Sequence, residues 1–510
     1  MAKNLARRWQ NTLISKKTTD PPQPSLKGRE SVVFSPFTGE LEGVCSAALS
    51  GGGEYADIFL EDTRISSMVL QDGAVSQAQQ VCLYGAGIRA VQGTETGYAY
   101  TMDLSEKAML QAAKFAGSMF QGAENKGQGA WNLRSLKARL SADESQKEQG
   151  DTYCNNNPPA SCPVLLAPSP TKALLLQIEE KARSLDASVI KVKAYISQRM
   201  QEIQFVASDG TAFHDFRPRT SLSVNIVMER SGQTQMGYAS RMMQMGADFF
   251  SDALIEEVVR EAISRTDFLF SASQIEGGEM PVVMAAGSSG ILLHEAIGHA
   301  FEADFIRTGD SIFTGQLGKQ ICHPSISIVD DGTLPGDTGM LRYDDEGIPG
   351  QCTTLVDHGR LNSYLYDRIS ARHFGVEPTG NGRRESFRCL PIPRMRSTYM
   401  LPGEAKEEDI IRSVKRGVYA QSFTNGQVQI GAGDFTFFMK TGYLIEDGHL
   451  TRPLRDLNII GNGPEALRRI SMVGDNLKID HSASMCGKEG QKVAVSQGLP
   501  TVLIDKLIVG

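Results

Sequence analysis

The segment G-I-L-L-H-E-A-I-G-H-A-F-E-A-D-F, residues 290–305, places two histidines around a glutamate in an apolar, helix-forming run. The chain has only 8 histidines in 510 residues, so the pair His294 and His299 around Glu295 is not an effect of composition. In the helical pattern H-E-x-x-H, both histidines bind one zinc ion and the glutamate acts as a base. Here three residues, instead of two, separate the glutamate from the second histidine.

The five-residue spacing of the two histidines conflicts with a regular α-helix. At about 100° per residue, a five-residue step leaves the side chains roughly 140° apart, so they cannot face one ion. A π-bulge would absorb the additional residue, and such bulges are frequent at functional sites. Alternatively the helix ends near Gly298, and His299 reaches the ion from a turn. The simplest competing interpretation is a buried helix with two hydrogen-bonded histidines and no metal.

Composition indicates an ordinary globular protein of two to four domains. Hydrophobic residues make up 41% of the chain and charged residues 22%. The net charge of −7, from 52 basic and 59 acidic residues, argues against nucleic acid or an anionic membrane as the partner. No run of 18 apolar residues occurs, so we predict no membrane span.

The cysteines and the N-terminal segment suggest a cytoplasmic location. The 8 cysteines are scattered without any C-x-x-C pair, a pattern typical of reduced thiols. Residues 1–30 are basic and lack the apolar region of a secretory signal. We predict that they form a disordered tail.

Two similar blocks in the first half of the chain indicate a duplication. The first has a turn at Asp72-Gly73 and then the word Gly97-Tyr98-Ala99, and the second has Asp209-Gly210 and then Gly237-Tyr238-Ala239. Each block reads as strands joined by a hairpin and followed by a helix. We therefore predict an N-terminal domain, residues 31–277, of two diverged α/β repeats. Coincidence of two common turn words is the alternative.

The remaining chain has a different pattern. The polar, proline-rich residues 141–171 predict a linker between the two repeats. Residues 278–510 begin with an apolar strand that leads into the histidine helix, and continue with short alternating strands. We predict turns at Asn425-Gly426 and Asp447-Gly448. The predicted fold class is α+β, with a mostly antiparallel, β-rich C-terminal domain around a central helix.

A catalytic zinc usually takes three protein ligands. Glu302 and Asp304 lie close after His299, and either could bind the ion or hold an imidazole in place. Cys486 lies far along the chain but has small neighbours, and Lys488 nearby could favour a thiolate. Spacing alone leaves these alternatives open.

Three segments of the second half resemble one known family. GSSGILLHEAIGHAFEAD (287–304), YDDEGIPGQCTTLVDHGRL (343–361) and CGKEGQ (486–491) are similar to the TldD branch of the TldD/PmbA metallopeptidases, also called modulators of DNA gyrase. The resemblance extends more loosely back to about residue 33. It implies that residues 278–510 form a zinc peptidase domain.

The resemblance also implies a ligand set and a reaction. His294, His299 and Cys486 would bind Zn²⁺, and Glu295 would be the catalytic residue that activates a zinc-bound water. The substrate would be unfolded peptides or small proteins, cut with low sequence specificity. The family implies a homodimer, or a heterodimer with a metal-free PmbA/TldE-type homologue. The alternative function is a non-catalytic regulatory or binding protein of the gyrase-modulator type, with a structural zinc.

Peptide binding in this family is implied to occur by addition of a β-strand, which requires a free strand edge. The candidate strands contain Thr353, Thr354 and Tyr399, and the alternative is that they are ordinary core strands. The acidic segment Asp344-Asp345-Glu346 could suggest a second metal site, but we expect a turn on the surface.

Overall fold

The first half of the chain forms one six-stranded antiparallel sheet, in a computed structural model that describes residues 38–120, 165–429 and 431–510. Its order is β3-β2-β1-β4-β5-β6. The strands are β1 (Tyr55–Gln71), β2 (Ala74–Gln92), β3 (Glu95–Thr101), β4 (Val189–Ala207), β5 (Ala212–Arg230) and β6 (Gln233–Met243). The accompanying helices are α1 (Thr38–Leu49), α2 (Glu106–Gly117), α3 (Pro168–Leu185) and α4 (Asp252–Ser271).

This sheet confirms the predicted duplication. Each repeat contributes three consecutive strands and a following helix, and the two repeats meet where β1 pairs with β4. The first hairpin turns at Asp72-Gly73, with φ of 48° and 81°, as a two-residue turn of this kind requires. Gly210, with φ of 86°, lies in the corresponding turn of the second repeat.

The glycines of the two G-Y-A sequences, Gly97 and Gly237, are required for the same steric reason. A Cβ on Gly97 in β3 would lie 2.0 Å from the carbonyl oxygen of Ala116 in α2. A Cβ on Gly237 in β6 would lie 2.9 Å from the backbone nitrogen of Thr266 in α4. In both repeats, glycine therefore allows the helix to lie directly against the third strand.

Two sequence predictions lie largely outside the described residues. The tail 1–30 does so completely, and the 141–171 linker does so except for its last residues. The helix α3 begins at Pro168, so the end of the predicted linker is helical. The domain division at residues 277/278 stays a prediction; β7 begins at Gly278.

The second half contains two mixed, mainly antiparallel six-stranded sheets. One has the order β10-β9-β8-β13-β21-β18 and consists of β8 (Ile328–Asp331), β9 (Cys352–Asp357), β10 (Arg360–Leu361), β13 (Ser397–Met400), β18 (Lys478–Asp480) and β21 (Ser496–Leu499). The other has the order β16-β15-β14-β7-β22-β17 and consists of β7 (Gly278–Met284), β14 (Arg416–Val428), β15 (Asp434–Glu446), β16 (His449–Asn462), β17 (Ile470–Val473) and β22 (Val502–Val509).

Shorter elements complete this half. They are the strand pairs β11 (Gly382–Arg383) with β12 (Ile392–Pro393) and β19 (Met485–Lys488) with β20 (Gln491–Ala494), and the helices α5 (Ile291–Leu293), α6 (Ala303–Thr308), α7 (Arg368–Phe374), α8 (Glu407–Arg412) and α9 (Gly463–Arg468). The α+β fold class is confirmed. No helix in the described part of the chain is long and apolar enough to cross a membrane.

The histidine helix lies at the centre of this half. Leu292, Ile297 and Phe301 belong to one buried apolar cluster that also contains Val282 of β7 and Leu355 of β9. The cluster therefore joins the two sheets through the helix, and burial of its apolar side chains holds the histidines in place.

One predicted turn is wrong. Asn425-Gly426 lies inside β14, where Asn425 pairs with Phe438 and Gly426 pairs with Phe437. A Cβ on Gly426 would lie 2.6 Å from the Phe437 ring. This glycine provides room for an aromatic side chain on the neighbouring strand, whereas the predicted turn at Asp447-Gly448 is present between β15 and β16.

Candidate metal centre

The helix that carries the two histidines changes its winding at the motif. Residues Ser288–Gly290 form a 3₁₀ turn, α5 follows, His294–Gly298 form a π-helix, and His299–Phe301 form a second 3₁₀ turn. The backbone N–H of His299 donates to the carbonyl oxygen of His294, five residues earlier. The predicted π distortion is therefore confirmed, and it removes the angular conflict that the five-residue spacing would create in an α-helix.

Gly298 has a steric role in this π-helix. Its φ and ψ of −59° and −48° are ordinary helical values, so conformational freedom does not explain the glycine. A Cβ there would lie 2.1 Å from the Sδ atom of Met395 and 3.0 Å from the carbonyl oxygen of Leu293. Glycine is therefore needed because neighbouring groups touch the helix at this point.

The hairpin of β19 and β20 brings Cys486 to the two histidines. A donor atom from each of His294, His299 and Cys486 lies within 4.8 Å of the other two, and all three residues are buried. The Sγ atom of Cys486 lies 3.3 Å from Nε2 of His299. The two imidazole centroids are 5.1 Å apart. The three residues thus converge on one point, as the family resemblance implied.

Electrostatics favour a thiolate at Cys486. Burial raises the pKa of the Cys486 thiol, but the neighbouring His294 and His299 imidazoles outweigh burial and lower it to about 4. Burial lowers the pKa of His299, while the Glu302 carboxylate and Cys486 raise it well above its ordinary value. The sequence suggested that Lys488 could favour the thiolate; the groups found to lower the pKa of Cys486 are the two imidazoles.

Lys488 instead supports Glu302. The Nζ atom of Lys488 donates to Oε2 of Glu302 at 3.0 Å and to Oδ1 of Asp304 at 2.8 Å. The same Glu302 oxygen lies 2.9 Å from Nδ1 of His299. Burial raises the pKa of Glu302, but Lys488 and His299 lower it to about 2. Glu302 is therefore an ionised partner that holds the outer nitrogen of His299.

Two cations near the hairpin carry roles that the sequence did not predict. The side chains of Cys486 and Lys488 are buried on the same face of β19, whose alternate residues are exposed. The Nη2 atom of Arg394 donates to the carbonyl oxygen of Cys486 at 2.7 Å. Lys488 lies two residues after Cys486, and on a strand this spacing places both side chains on one face. The sequence could therefore have indicated that Lys488 lies near the metal centre. No feature of the neighbouring sequence identified Arg394.

Glu295 occupies the most open position of the motif. It is half-buried, whereas the other five residues of 294–299 are buried. It directly follows His294 in the π-helix, and its side chain retains partial access to solvent. This combination suits a carboxylate that exchanges protons with water.

The converging donors fit a metal ion. Two imidazole nitrogens and a thiolate are preferred zinc ligands, with bond lengths near 2.0–2.3 Å. Tetrahedral geometry at those lengths separates neighbouring donors by roughly 3.5 Å, which agrees with the 3.3 Å between Cys486 and His299. The Nδ1 atom of His294 is buried and has no hydrogen-bond partner among the described residues. The residues present are therefore suited to hold a metal.

The strands predicted to bind substrate differ in their exposure to a new strand. Tyr399 lies on β13, which pairs with β8 on one side and β21 on the other. The prediction of a free edge there is wrong, and the Tyr399 hydroxyl donates to Asp331 at 3.0 Å. Thr353 and Thr354 lie on β9, which pairs with β8. Their role in substrate binding stays a prediction.

The acidic segment at 344–346 is buried, so the predicted surface turn is wrong. Oε1 of Glu346 accepts a hydrogen bond from Arg89 at 2.6 Å, and Oδ1 of Asp345 accepts one from Arg217 at 2.5 Å. Asp344 accepts hydrogen bonds from three backbone N–H groups. Ion pairs with the N-terminal sheet offset the cost of burying Asp345 and Glu346, whereas burial and the neighbouring Glu346 raise the pKa of Asp344 to about 7.

Three family models match consecutive parts of the chain. Residues 277–510 match the model described as PmbA/TldA metallopeptidase C-terminal domain. Residues 165–267 match the central domain of the same family, and residues 56–120 match its domain 1. The three matches together cover both repeats of the N-terminal sheet and all residues of the candidate metal centre.

Curated relatives carry corresponding names. The chain is 38% identical over 464 residues to the metalloprotease TldD homolog of Haemophilus influenzae, covering 90% of this chain and 93% of the relative. It is 32% identical over 322 residues to the zinc metalloprotease TldD homolog of Saccharolobus solfataricus, covering 62% of this chain and 68% of the relative.

Solved structures share the fold. A candidate modulator of a DNA gyrase from Thermotoga maritima superposes with a TM-score of 0.72 at 20% identity, covering 93% of this chain and 100% of the other. TldE from Thermococcus kodakarensis superposes with a TM-score of 0.69 at 17% identity, covering 92% and 100%. At these identities the likeness establishes the fold alone.

Proposed function

The chain belongs to the PmbA/TldD metallopeptidase family, and we propose that it is a zinc-dependent peptidase that hydrolyses unfolded peptides or small protein substrates with low sequence specificity. One observation carries this proposal: His294, His299 and Cys486 converge within 4.8 Å, with Glu295 in the same π-helix. The relatives named as metalloproteases support the reaction class.

In this proposal His294, His299 and Cys486 hold Zn²⁺. A zinc ion in such a site polarises the scissile carbonyl and lowers the pKa of a water molecule. Glu302 keeps the His299 ring oriented through its 2.9 Å contact with Nδ1, and Lys488 keeps Glu302 ionised. This arrangement leaves Nε2 of His299 as the nitrogen that would hold the ion.

Glu295 is the proposed catalytic residue. Its half-buried carboxylate would accept the proton of the attacking water and return it to the leaving amine. The main chain of an unfolded peptide would be held by hydrogen bonds to a strand edge, which gives little sequence preference. Cys352 and Thr353 of β9 have no strand partner on their outer side among the described residues, so they are the edge we assign to this role.

The decisive experiment measures hydrolysis of an unstructured peptide by the zinc-loaded protein. We expect Glu295→Gln to lower kcat by roughly 10²- to 10⁴-fold with unchanged zinc content, and a chelator to abolish activity until zinc is restored. The control Glu256→Gln, on the surface of α4, retains the wild-type rate. A full rate with Glu295→Gln would contradict the mechanism.

The competing function is a regulatory protein with a structural zinc, and it makes the opposite prediction. Chelation would then unfold the protein or abolish partner binding, while the wild type would not cleave any unstructured peptide. The half-buried Glu295 favours the peptidase, because a purely structural site has no use for an accessible carboxylate beside the ligands.

We further propose that the protein acts as a homodimer or as a heterodimer with a PmbA/TldE-type homologue. Purification from the native host followed by mass spectrometry and light scattering tests this. A protein that remains a monomer at micromolar concentration, with no co-purifying homologue, would rule the proposal out.

A further inference from the structure

A small cavity of about 50 Å³ lies between the N-terminal sheet and the β19–β20 hairpin. Six of its lining residues are cations: Arg199, Arg217, Arg219, Arg383, Arg384 and Lys492. Two lining residues, Asp345 and Glu385, are acidic. The cavity therefore has an excess of positive charge in a protein whose net charge is −7.

Two arginines face each other directly on the floor of the cavity. Arg199 of β4 and Arg219 of β5 are cross-strand partners, an arrangement of like charges that destabilises a sheet. Arg199 lies 3.5 Å from Glu61, but no carboxylate contacts Arg219 within the ranges that the structure describes. Burial lowers the pKa of Arg219 to about 9, and the guanidinium groups of Arg199 and Arg383 contribute.

Arg383 is a second guanidinium without a carboxylate. It is 5% exposed and donates only to carbonyl oxygens, of Met395 at 2.6 Å and of Ala494 at 2.7 Å, within the described parts of the chain. Burial lowers the pKa of Arg383 to about 9, with neighbouring arginines contributing. Its positive charge therefore has hydrogen bonds but no neutralising partner.

The two acidic residues of the lining are already engaged. The Oδ1 atom of Asp345 accepts from Arg217, and its Oδ2 atom accepts from the backbone of Arg384 at 2.8 Å. The Oε2 atom of Glu385 accepts from the backbone N–H of Lys492 at 3.0 Å. Asp345 pairs with Arg217, and the Arg384 guanidinium lies 3.7 Å from Asp57, so Arg219 and Arg383 are left in excess.

Arg383 is buried and Arg219 is half-buried, and charges without acidic partners are costly in such positions, so an anion in this cavity would be stabilised. Planar guanidinium groups match a carboxylate in two-pronged hydrogen bonds. By the measure in which one water molecule requires about 10–15 Å³, the cavity holds a group of roughly three or four heavy atoms. That is the size of a carboxylate group.

The cavity adjoins the candidate metal centre. Its wall includes Val493, which pairs with Cys486 across the hairpin and belongs to the same small apolar cluster. Directly paired residues have Cβ atoms about 4.5–5.5 Å apart. A group bound in the cavity is therefore separated from a metal ligand by the width of one strand pair.

We propose that this cavity binds a carboxylate of a peptide substrate, supplied by its C terminus or by an acidic side chain, and thereby selects which peptide bond faces the metal centre. The proposal rests on the peptidase function proposed above. It adds a preference by charge to a site that otherwise recognises only the main chain.

The test measures binding of three fluorescein-labelled peptides to zinc-loaded Glu295→Gln protein by fluorescence anisotropy. The first has a free C terminus and no acidic residue, the second is its C-terminal amide, and the third is the amide with one internal glutamate. We expect at least one carboxylate-bearing peptide to bind about ten-fold or more tightly than the plain amide. The peptide that gains affinity identifies the source of the carboxylate.

Substitutions on β5 then locate the effect. Arg219→Gln, added to the same protein, reduces the carboxylate preference to less than about two-fold. The matched control Arg230→Gln alters an exposed arginine on the same strand, which pairs with Asp186 and Asp267, and keeps the preference. A preference that survives Arg219→Gln would overturn the proposal.

In this design, the binding measurement tests the carboxylate site and the hydrolysis measurement tests the peptidase function separately. Equal affinity of the unsubstituted cavity for all three peptides overturns the carboxylate site, even if the wild type cleaves them. Absence of cleavage by the wild type contradicts the peptidase function, while the anisotropy comparison remains readable. Because that comparison uses Arg219 intact, it decides the question even if Arg219→Gln does not fold.

Discussion

The candidate metal centre and the acidic segment at 344–346 are both buried clusters of charged side chains, but they are built differently. In the acidic segment, Glu346 and Asp345 each contact an arginine from the N-terminal sheet. In the metal centre, the ion-paired groups are Glu302 and Lys488, which lie behind the three converging donors.

The difference separates a cluster that joins two parts of the fold from one whose donor atoms converge as a metal site requires. In the acidic segment, Glu346 and Asp345 form ion pairs with arginines of the N-terminal sheet. These pairs join the two halves of the chain. The metal centre pairs its outer charges, while Cys486 and His299 contact each other and Nδ1 of His294 has no hydrogen-bond partner within the described residues. From the sequence alone, both segments could be considered as metal sites. The side chains that contact each segment in the folded protein distinguish the two.

The largest effect is expected from Cys486→Ala. Loss of a thiolate ligand should lower zinc affinity by more than the roughly 10–100-fold cost of losing an outer partner, and should abolish peptide hydrolysis. Zinc content by atomic absorption checks this. Cys82→Ala, at an exposed cysteine, serves as the control and retains zinc. Retention of one tightly bound zinc by Cys486→Ala would remove this residue from the ligand set.

Arg89→Met should affect stability and leave the metal centre intact. Arg89 bridges Glu346 at 2.6 Å and Asp57 at 2.8 Å, and all three side chains are buried. Breaking a buried ion pair costs about 3–5 kcal/mol of unfolding free energy, measurable by urea denaturation. Zinc bound per folded molecule should not change.

The control for this prediction is Arg412→Met, because Arg412 makes an exposed ion pair with Asp409. An exposed pair contributes about 0–1 kcal/mol. Equal destabilisation by the two substitutions would mean that burial does not distinguish the acidic cluster from the surface.

Glu302→Gln should produce an intermediate effect at the metal centre. Without the carboxylate, His299 loses the partner that holds its ring, and zinc affinity should fall roughly 10–100-fold. Competition with a fluorescent chelator measures this. Glu465→Gln, at a surface pair with Arg469, should leave the affinity unchanged. Unchanged affinity of Glu302→Gln would show that packing alone orients the imidazole.

The smallest expected effect is a pH dependence of the stability that Asp345 of the acidic segment contributes to the fold. Burial raises the pKa of Asp345, but Arg217 and Arg384 outweigh burial and lower it below the ordinary value. A lowered folded-state pKa stabilises the fold above the unfolded pKa of about 3.9, and this contribution disappears as pH falls through the folded value. Asp345→Asn should therefore be less stable than wild type at pH 7, with a narrower difference at pH 3. A difference that does not change with pH would assign the stability to packing.

The winding of the histidine segment was predictable because its constraint is local, whereas Cys486, 187 residues from His299, was indicated only by the family resemblance. Two histidines five residues apart require a non-α geometry if both bind one ion, and the His299 N–H bonds to the His294 carbonyl as that geometry demands. The turn at Asp72-Gly73 and the G-Y-A words were predictable for the same reason, since backbone conformation and close packing of a following helix act within about 30 residues.

Features that depend on distant partners were not predictable. The acidic segment appeared to be a surface turn because Arg89 lies 257 residues away from Glu346. Gly426 was predicted to lie in a turn, but glycine is needed there because the ring of Phe437 on the next strand leaves no room for a side chain. That contact is not visible in the sequence. The excess charge at Arg219 emerges only when β4, β5 and the Arg383 segment come together.

The long-range bond between Arg89 and Glu346 also has a consequence for protein synthesis. At roughly 5–20 residues per second, the ribosome needs about 13–50 s to deliver Glu346 after Arg89. The last strand of the N-terminal sheet ends at Met243, so Glu346 is synthesised after all six strands of the sheet. Until then Arg89 has Asp57 as its acidic partner and lacks Glu346. The ion pair that joins the two halves of the chain can therefore form only after the sheet has been synthesised.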